Sequence, residues 1–178
     1  IIRLNKEIRN YFKYSPGSQA SEWSNFYEQG VIALRFESLN LGDIANLKSR
    51  EEINTFLNLP PGSSSNQTWN IWLFKNSNIG DIVFATKGVN TCIGIGIIKS
   101  DYYYEVSPNG YNYRKKVDWI CNKIYQYKPN SYKKYKSLFR FDTFSPTRVY
   151  DFILSEYIRL YPELAEVFNR YDIRYNAT

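Results

Sequence analysis

The chain has 178 residues, 43% of them hydrophobic and 18% aromatic, and 23 Lys and Arg against 17 Asp and Glu leave a net charge of +6. That length and apolar content support one domain with a real core and exclude a disordered chain, and the cation excess favours a polyanionic partner. Apolar runs fall far short of the ~20 residues a membrane span requires, so no membrane partner is expected.

In chain order, NYFKYSP at 10–16 reads as a short strand ending in a proline turn. Ala20, Trp23 and Tyr27 then fall at helical spacing, and Gly30 is a natural stop. VIALRF follows as a second strand, over about 31–36, with Ile32, Leu34 and Phe36 on one face. Ser49 and Glu52 form a capping box, and Ile53, Phe56 and Leu57 give the buried stripe of the helix it opens. After the loop PPGSSSN, a third helix is expected through QTWNIWLFKN, with Trp69, Trp72 and Leu73 as its core face.

IVFAT (82–86) and TCIGIGIIKS read as strands, and the two glycines of the latter permit a bulge or a close backbone approach. DYYYEV and YRKKVDWI are further strands joined through SPNG, with NKIYQYK as a candidate for another. In 111–119, Val117 and Trp119 should face the core, Tyr111 and Tyr113 the barrel mouth, and Arg114 and Lys116 solvent, while Lys115 interrupts the apolar face. Beyond Phe144 the period changes: Ser145 can cap, Pro146 can occupy the first helical position, and Val149, Phe152, Ile153, Tyr157 and Leu160 recur at helical spacing. A last short helix follows Pro162. The fold class expected is α+β: a mixed β-barrel of about six strands with inserted helices and a C-terminal helical tail.

Absences narrow the chemistry. The chain contains no histidine, which removes Ser-His and Cys-His nucleophile schemes and His-based metal sites. No Asp or Glu has Lys two positions later, as a common metal-dependent nuclease requires, and GIGIIKS fails as a phosphate loop because Ile98 stands before Lys99. Cys92 and Cys121, without C-x-x-C spacing, allow a disulfide but fit a reduced intracellular pair better, so a cytoplasmic protein is expected. No catalytic residue, metal or cofactor is expected. The sequence lacks Met altogether, which suggests a fragment or a lost first residue.

What remains is aromatic rings interleaved with cations, most densely in DYYYEVSPNGYNYRKKVDW at 101–119. Stacking a base on a ring is worth about 1–3 kcal/mol, and extruding one from a duplex costs a few. Several rings with several cations can offset that cost. Trp69, Trp72 and Trp119 read as core residues, whereas Trp23 suits core and pocket wall equally.

The order YFKYSPG, a Trp-bearing helix ending EQGVIALRFESLNLGDI, then NIGDIVFATKG, CIGIGII, DYYYE and Y-x-Y-R-K-K-V-x-W resembles the EVE domain, a PUA-like barrel related to YTH domains, over about residues 11–120. It is most similar to the versions at the N-terminus of McrB-type subunits of modification-dependent restriction systems. The resemblance implies a barrel domain at 11–144, between an N-terminal extension at 1–10 and a helical segment at 145–178 packed on it. It also implies a non-catalytic module that flips and reads a modified base, N6-methyladenine or methylcytosine, in double-stranded DNA. Motor and nuclease partners would act through regions outside this chain.

By position, Ser15 matches a residue lining the base pocket, and Phe36 stands where the family often has Trp. Tyr111 and Tyr113 fall in the block that supplies another cage wall, Tyr113 replacing a common His. The candidate base pocket is therefore Ser15, Trp23, Phe36, Tyr104, Tyr111 and Tyr113. Phosphate candidates are Lys13, Arg35, Lys87, Arg114, Lys115 and Lys116. The alternative is an RNA-binding PUA-like module, for which the Tyr- and Lys-rich NKIYQYKPNSYKKYKSLFRF could serve single strands.

Overall fold

The computed structural model of the protein describes residues 9–36, 42–130 and 134–175. Most of the expected N-terminal extension and three residues of the Tyr- and Lys-rich stretch therefore lie outside the described residues. The fold is α+β. A mixed sheet runs in the order β2 (Val31–Leu34), β6 (Tyr113–Cys121), β4 (Thr91–Ile98), β3 (Ile82–Lys87), β1 (Tyr11–Tyr14), β8 (Phe144–Pro146). Two-residue strands β5 (Tyr103–Tyr104) and β7 (Tyr125–Gln126) add to β6 and β4. Among the described residues only β1 and β3 pair in parallel.

Period-two alternation divides the core between the two faces of the sheet. Phe12, Tyr14 and Val83 point to one face, where α2 (Arg50–Phe56) and α3 (Asn66–Asn76) contribute Ile53, Ile71 and Phe74. Ile82, Phe84 and Ile95 point to the other, against Ile153, Leu154 and Tyr157 of α4 (Tyr150–Leu160) and Phe168 of α5 (Leu164–Arg170). The Tyr157 hydroxyl holds this layer down, 2.8 Å from the Lys123 carbonyl oxygen.

Local signals set several boundaries as expected. α1 (Trp23–Gln29) ends where Gly30 enters the left-handed region at φ 67°, and Ser49 Oγ accepts from the Glu52 amide 3.1 Å away. The Glu52 carboxylate reaches back one residue further than a capping box prescribes, to the Lys48 amide. The glycines of β4 serve a close approach. A Cβ on Gly94 would stand 2.4 Å from the Trp23 ring, and one on Gly96 2.7 Å from that of Trp119. The two indoles meet edge to face, their centroids 4.7 Å apart.

Two expectations are corrected. The buried face of α3 is Thr68, Asn70, Ile71 and Phe74, with Trp69, Trp72 and Leu73 only half-buried. Asn70 is drawn in because its Oδ1 accepts from the Phe144 amide at 2.6 Å, and Trp69 instead lies under the Arg50 guanidinium. Residues 144–146 do not open a helix. They form β8, antiparallel to β1, and α4 starts at Tyr150.

The curled sheet leaves a seam. β2 ends one side of the strand order and β1–β8 the other, and among the described residues no ladder joins them. Gly30 C=O accepts from Val117 N–H, so the antiparallel alternation turns the N–H and C=O of Ala33 away from β6. The fully buried Tyr14 hydroxyl meets both, accepting from Ala33 N at 3.0 Å and donating to Ala33 O. One side chain thus bridges strands that sit four positions apart in the sheet. Burial, opposed by the bonding to Ala33, pushes the phenol far above its ordinary value.

Tyr14→Phe keeps the ring but strands two buried backbone groups, so it should lower the unfolding free energy by about 2–3 kcal/mol. Urea denaturation measures this; a loss below about 0.5 kcal/mol would mean the seam does not rest on that hydroxyl.

Candidate nucleic-acid pocket

At the end of the seam beyond Tyr14 lies a cleft of about 600 Å3. Its walls come from the ends of elements that the curl brings together: Lys13 of β1 and Ser15 just after it, Ala33 to Phe36 out of β2, Thr86 of β3 and Gly88 just after it, Asn66 to Ile71 in part from α3, Tyr111, and 140–143 ahead of β8. The volume falls in the range of pockets that hold a drug-sized ligand.

The turn at 17–20 closes one rim under backbone strain. Gly17, Gln19 and Ala20 all have positive φ, at 76°, 52° and 58°. Two adjacent non-glycine residues in the left-handed region cost roughly 1–2 kcal/mol each, and such residues gather where a fold holds a binding surface in place. Gly17 has steric cause as well, since a Cβ there would lie 2.6 Å from Ser21 Oγ.

The opposite rim, 140–143, is tied down by Lys13. Its ammonium donates to Ser15 Oγ at 2.8 Å, to Arg140 O at 3.0 Å and to Asp142 O, and lies 3.9 Å from Asp142 Oδ1. The side chain is 2% exposed, and burial, opposed by Asp142, lowers its pKa to about 8. Ser15 N–H donates to Thr143 O at 2.9 Å, and Ser145 Oγ to Asp142 Oδ1 at 2.7 Å. All three N–H bonds of Lys13 are used, so it builds the floor and holds no free donor for phosphate. It is also no base for Ser15: an ammonium donating three bonds cannot accept a proton.

Of the residues singled out in the sequence, Lys13, Ser15, Arg35, Phe36 and Tyr111 line this cleft. Arg35 lies over the Tyr111 ring at 4.7 Å, and Phe26 meets that ring edge-on. The others lie elsewhere. Trp23 packs on Gly94 and Trp119. Tyr113 and Tyr104 stand behind Phe36, ring against ring at 4.6 and 5.5 Å along the chain Phe36–Tyr113–Tyr104. Tyr113 donates to Gly42 O at 3.1 Å, and its burial moves its pKa up to about 12.

Two expectations about cations also need correction. Arg114 is buried instead of facing solvent, donating from Nε to Tyr111 O and through its terminal nitrogen to Gln29 Oε1, both at 2.8 Å. Lys115 is 0% exposed, and its ammonium donates to Ser77 O and to Ser77 Oγ. The apolar face it interrupts is the one facing the core, so the stem follows the face inward and the head finds a helix C-cap. Lys87 and Lys116 are exposed but do not line the cleft.

Residues the sequence reading did not assign to the pocket are Asn66, Gln67, Asn70, Arg140, Phe141 and Asp142. Asn66 and Gln67 open α3, and Arg140 is 63% exposed at the rim, its Nε 3.3 Å from Asp142 Oδ2. The only trace of the rim in sequence is the FRF at 139–141, already set within the stretch suited to single strands. Among the described residues no group of three His, Cys, Asp or Glu could hold a metal ion, both cysteines are free and buried, and no helix is long and apolar enough to cross a membrane.

The fold and this cleft define an α+β mixed-sheet domain with an aromatic, cation-rimmed pocket at an unpaired seam. The chain belongs to the family described as Domain of unknown function (DUF8426), which matches residues 12–143. None of the curated proteins compared with it matches. Among solved structures it is similar to the YTH domain of Zygosaccharomyces rouxii MRB1 protein, crystallised in complex with N6-methyladenosine RNA. The two are 14% identical, the match covers 85% of this chain and 88% of that one, and the TM-score is 0.48. That overlap is too loose to set residues of one chain on those of the other.

Lys115 supplies a pH test of the interior. Burial, opposed by Asp101 and Asp81, lowers its pKa from an ordinary 10.5 to about 8. Between those values the unfolded chain binds the extra proton, so wild type should gain stability over Lys115→Met as pH rises through that window, by up to about 3 kcal/mol. Below the window the offset between the two is constant. Urea midpoints at pH 7 and pH 10 measure it, and a pH-independent difference would show that the ammonium is not desolvated.

Proposed function

We propose that this chain binds nucleic acid and holds one base, displaced from its strand, in the seam cleft. The observation that supports this reading is one cleft of about 600 Å3 lined by the rings of Phe36 and Tyr111, the cations Arg35 and Arg140, and the side-chain amides of Asn66 and Gln67. Rings take the flat faces of a base, amides its hydrogen-bonding edge, and the guanidinium groups the phosphate on either side.

The finer reading is that the base is methylated, as N6-methyladenine or methylcytosine, and lies in double-stranded DNA. The chain would then be the specificity module of a McrBC-type, GTP-dependent restriction complex, and would carry out no chemistry itself. The sequence blocks shared with EVE domains support this choice, and so does the buttressing of Phe36 by Tyr113 and Tyr104, which stiffens a wall against which a methyl group can bury. One buried methyl is worth about 0.8 kcal/mol. The discrimination by contact is therefore modest, and easier extrusion of a weakened pair adds to it.

Fluorescence anisotropy at fixed salt, with methylated duplex DNA, the same unmodified duplex and an unmodified RNA competing, tests the reading. Methylated duplex should bind best, and Phe36→Ala should cut the methylated-over-unmodified ratio by about fourfold. Equal loss on both probes would remove Phe36 from the methyl-binding wall. Displacement of methylated duplex by unmodified RNA would replace the DNA reading with an RNA one.

A further inference from the structure

Phe141 is 90% exposed, the most exposed of the large aromatic side chains at the cleft. A phenylalanine left in water forgoes most of the 1.5–3 kcal/mol its burial is worth, and its neighbours show why it does not fold inward. Lys13 accepts no alternative here: it donates to the carbonyls on both sides of Phe141, those of Arg140 and Asp142. Ser15 N–H holds the Thr143 carbonyl, and Asp142 Oδ1 is held by Ser145 Oγ. The backbone at 140–143 is thus pinned to the end of β1 from below, and the Phe141 ring is carried outward on a braced support. Immediately beside it stands Arg140, 63% exposed.

From this geometry we infer that Phe141 is a wedge, which enters the base stack of a duplex and fills the place of the base held in the cleft. This rests on the reading of the cleft as a base pocket and adds to it the residue that fills the gap in a paired strand. A duplex that loses a base from its stack collapses or recaptures the base unless an apolar surface replaces the lost stacking, and inserted Phe, Leu, Ile or Met side chains do this. A ring meant as a further wall of the pocket would lie over the bound base and be sheltered in the cleft. Phe141 stands at its edge, where the vacated position would be. Arg140 beside it meets the strand phosphate next to the gap and offsets part of the opening cost. The ammonium of Lys13 is what sets the height of the wedge above the pocket floor.

Phe141→Ala alters an exposed side chain and should leave the melting temperature unchanged. Its binding is compared with wild type on three probes: a duplex with one N6-methyladenine, the same methylated strand alone, and that duplex with an abasic site opposite the methylated base. The wedge predicts about a tenfold loss on the paired duplex, less than about a twofold change on the single strand, and recovery of most of the loss on the abasic duplex, where the base leaves at little cost. Phe141→Leu should retain most of the duplex affinity. Equal losses on single strand and duplex would make Phe141 a stacking wall and overturn the wedge, as would no loss on any probe. If wild type binds none of the three, while Phe36→Ala changes nothing, the base-pocket reading itself falls and the wedge with it.

Discussion

A single phenol holds the fold around its candidate cleft. β2 ends the strand order with the backbone groups of Ala33 turned away from its neighbour, and an edge of that kind invites pairing. A ninth strand or a closed barrel would satisfy it and also fill the gap. Tyr14 satisfies the same two groups with one hydroxyl, at the width of one ring. The sheet is closed in the sense that matters for stability and left open for the residues beyond Ala33. Arg35 and Phe36 continue past the stitch into the cleft wall, while Ser15 follows Tyr14 on the facing side. Stability and access therefore come from the same residue pair.

The positive charge of the protein is divided between the interior and the cleft. Lys13, Arg114 and Lys115 are buried cations with acceptors inside the chain. Leaving a buried charge unpaired is costly, so each is surrounded by carbonyl or hydroxyl oxygens. Their work is positional: Lys13 carries the 140–143 rim, Arg114 fixes Tyr111 through its carbonyl, and Lys115 closes the C-terminus of α3. Arg35 and Arg140 sit at the cleft. The net charge of +6 thus overstates what a polyanion meets and understates how much of the fold depends on cations.

The legible part of the sequence was the part with local causes. Gly30 ends α1 because left-handed φ is cheap for glycine, Ser49 and Glu52 open α2, and the glycines of β4 announced a close approach that Trp23 and Trp119 make. The α+β class followed from the alternation of those periods. A smaller part of the cleft was also accessible: Lys13, Ser15, Arg35, Phe36 and Tyr111 were singled out, Ser15, Phe36 and Tyr111 through the resemblance to EVE domains. What failed had distant causes. Asn70 is buried for an amide 74 positions away, Lys13 is spent on carbonyls 127 and 129 positions away, and 144–146 is a strand only because β1 lies beside it. The rim at 140–143 has no period of its own and takes its shape from Lys13, so nothing local marked Phe141.

An NMR titration of the amide-labelled protein with a methylated DNA duplex tests the central claim most directly. The account predicts that the amides of Ser15, Arg35, Phe36 and 140–143 shift together and saturate at one stoichiometry, because they ring one cleft at one seam. Shifts confined to α4 and α5 on the opposite face of the sheet, with those amides unmoved at saturation, would contradict it.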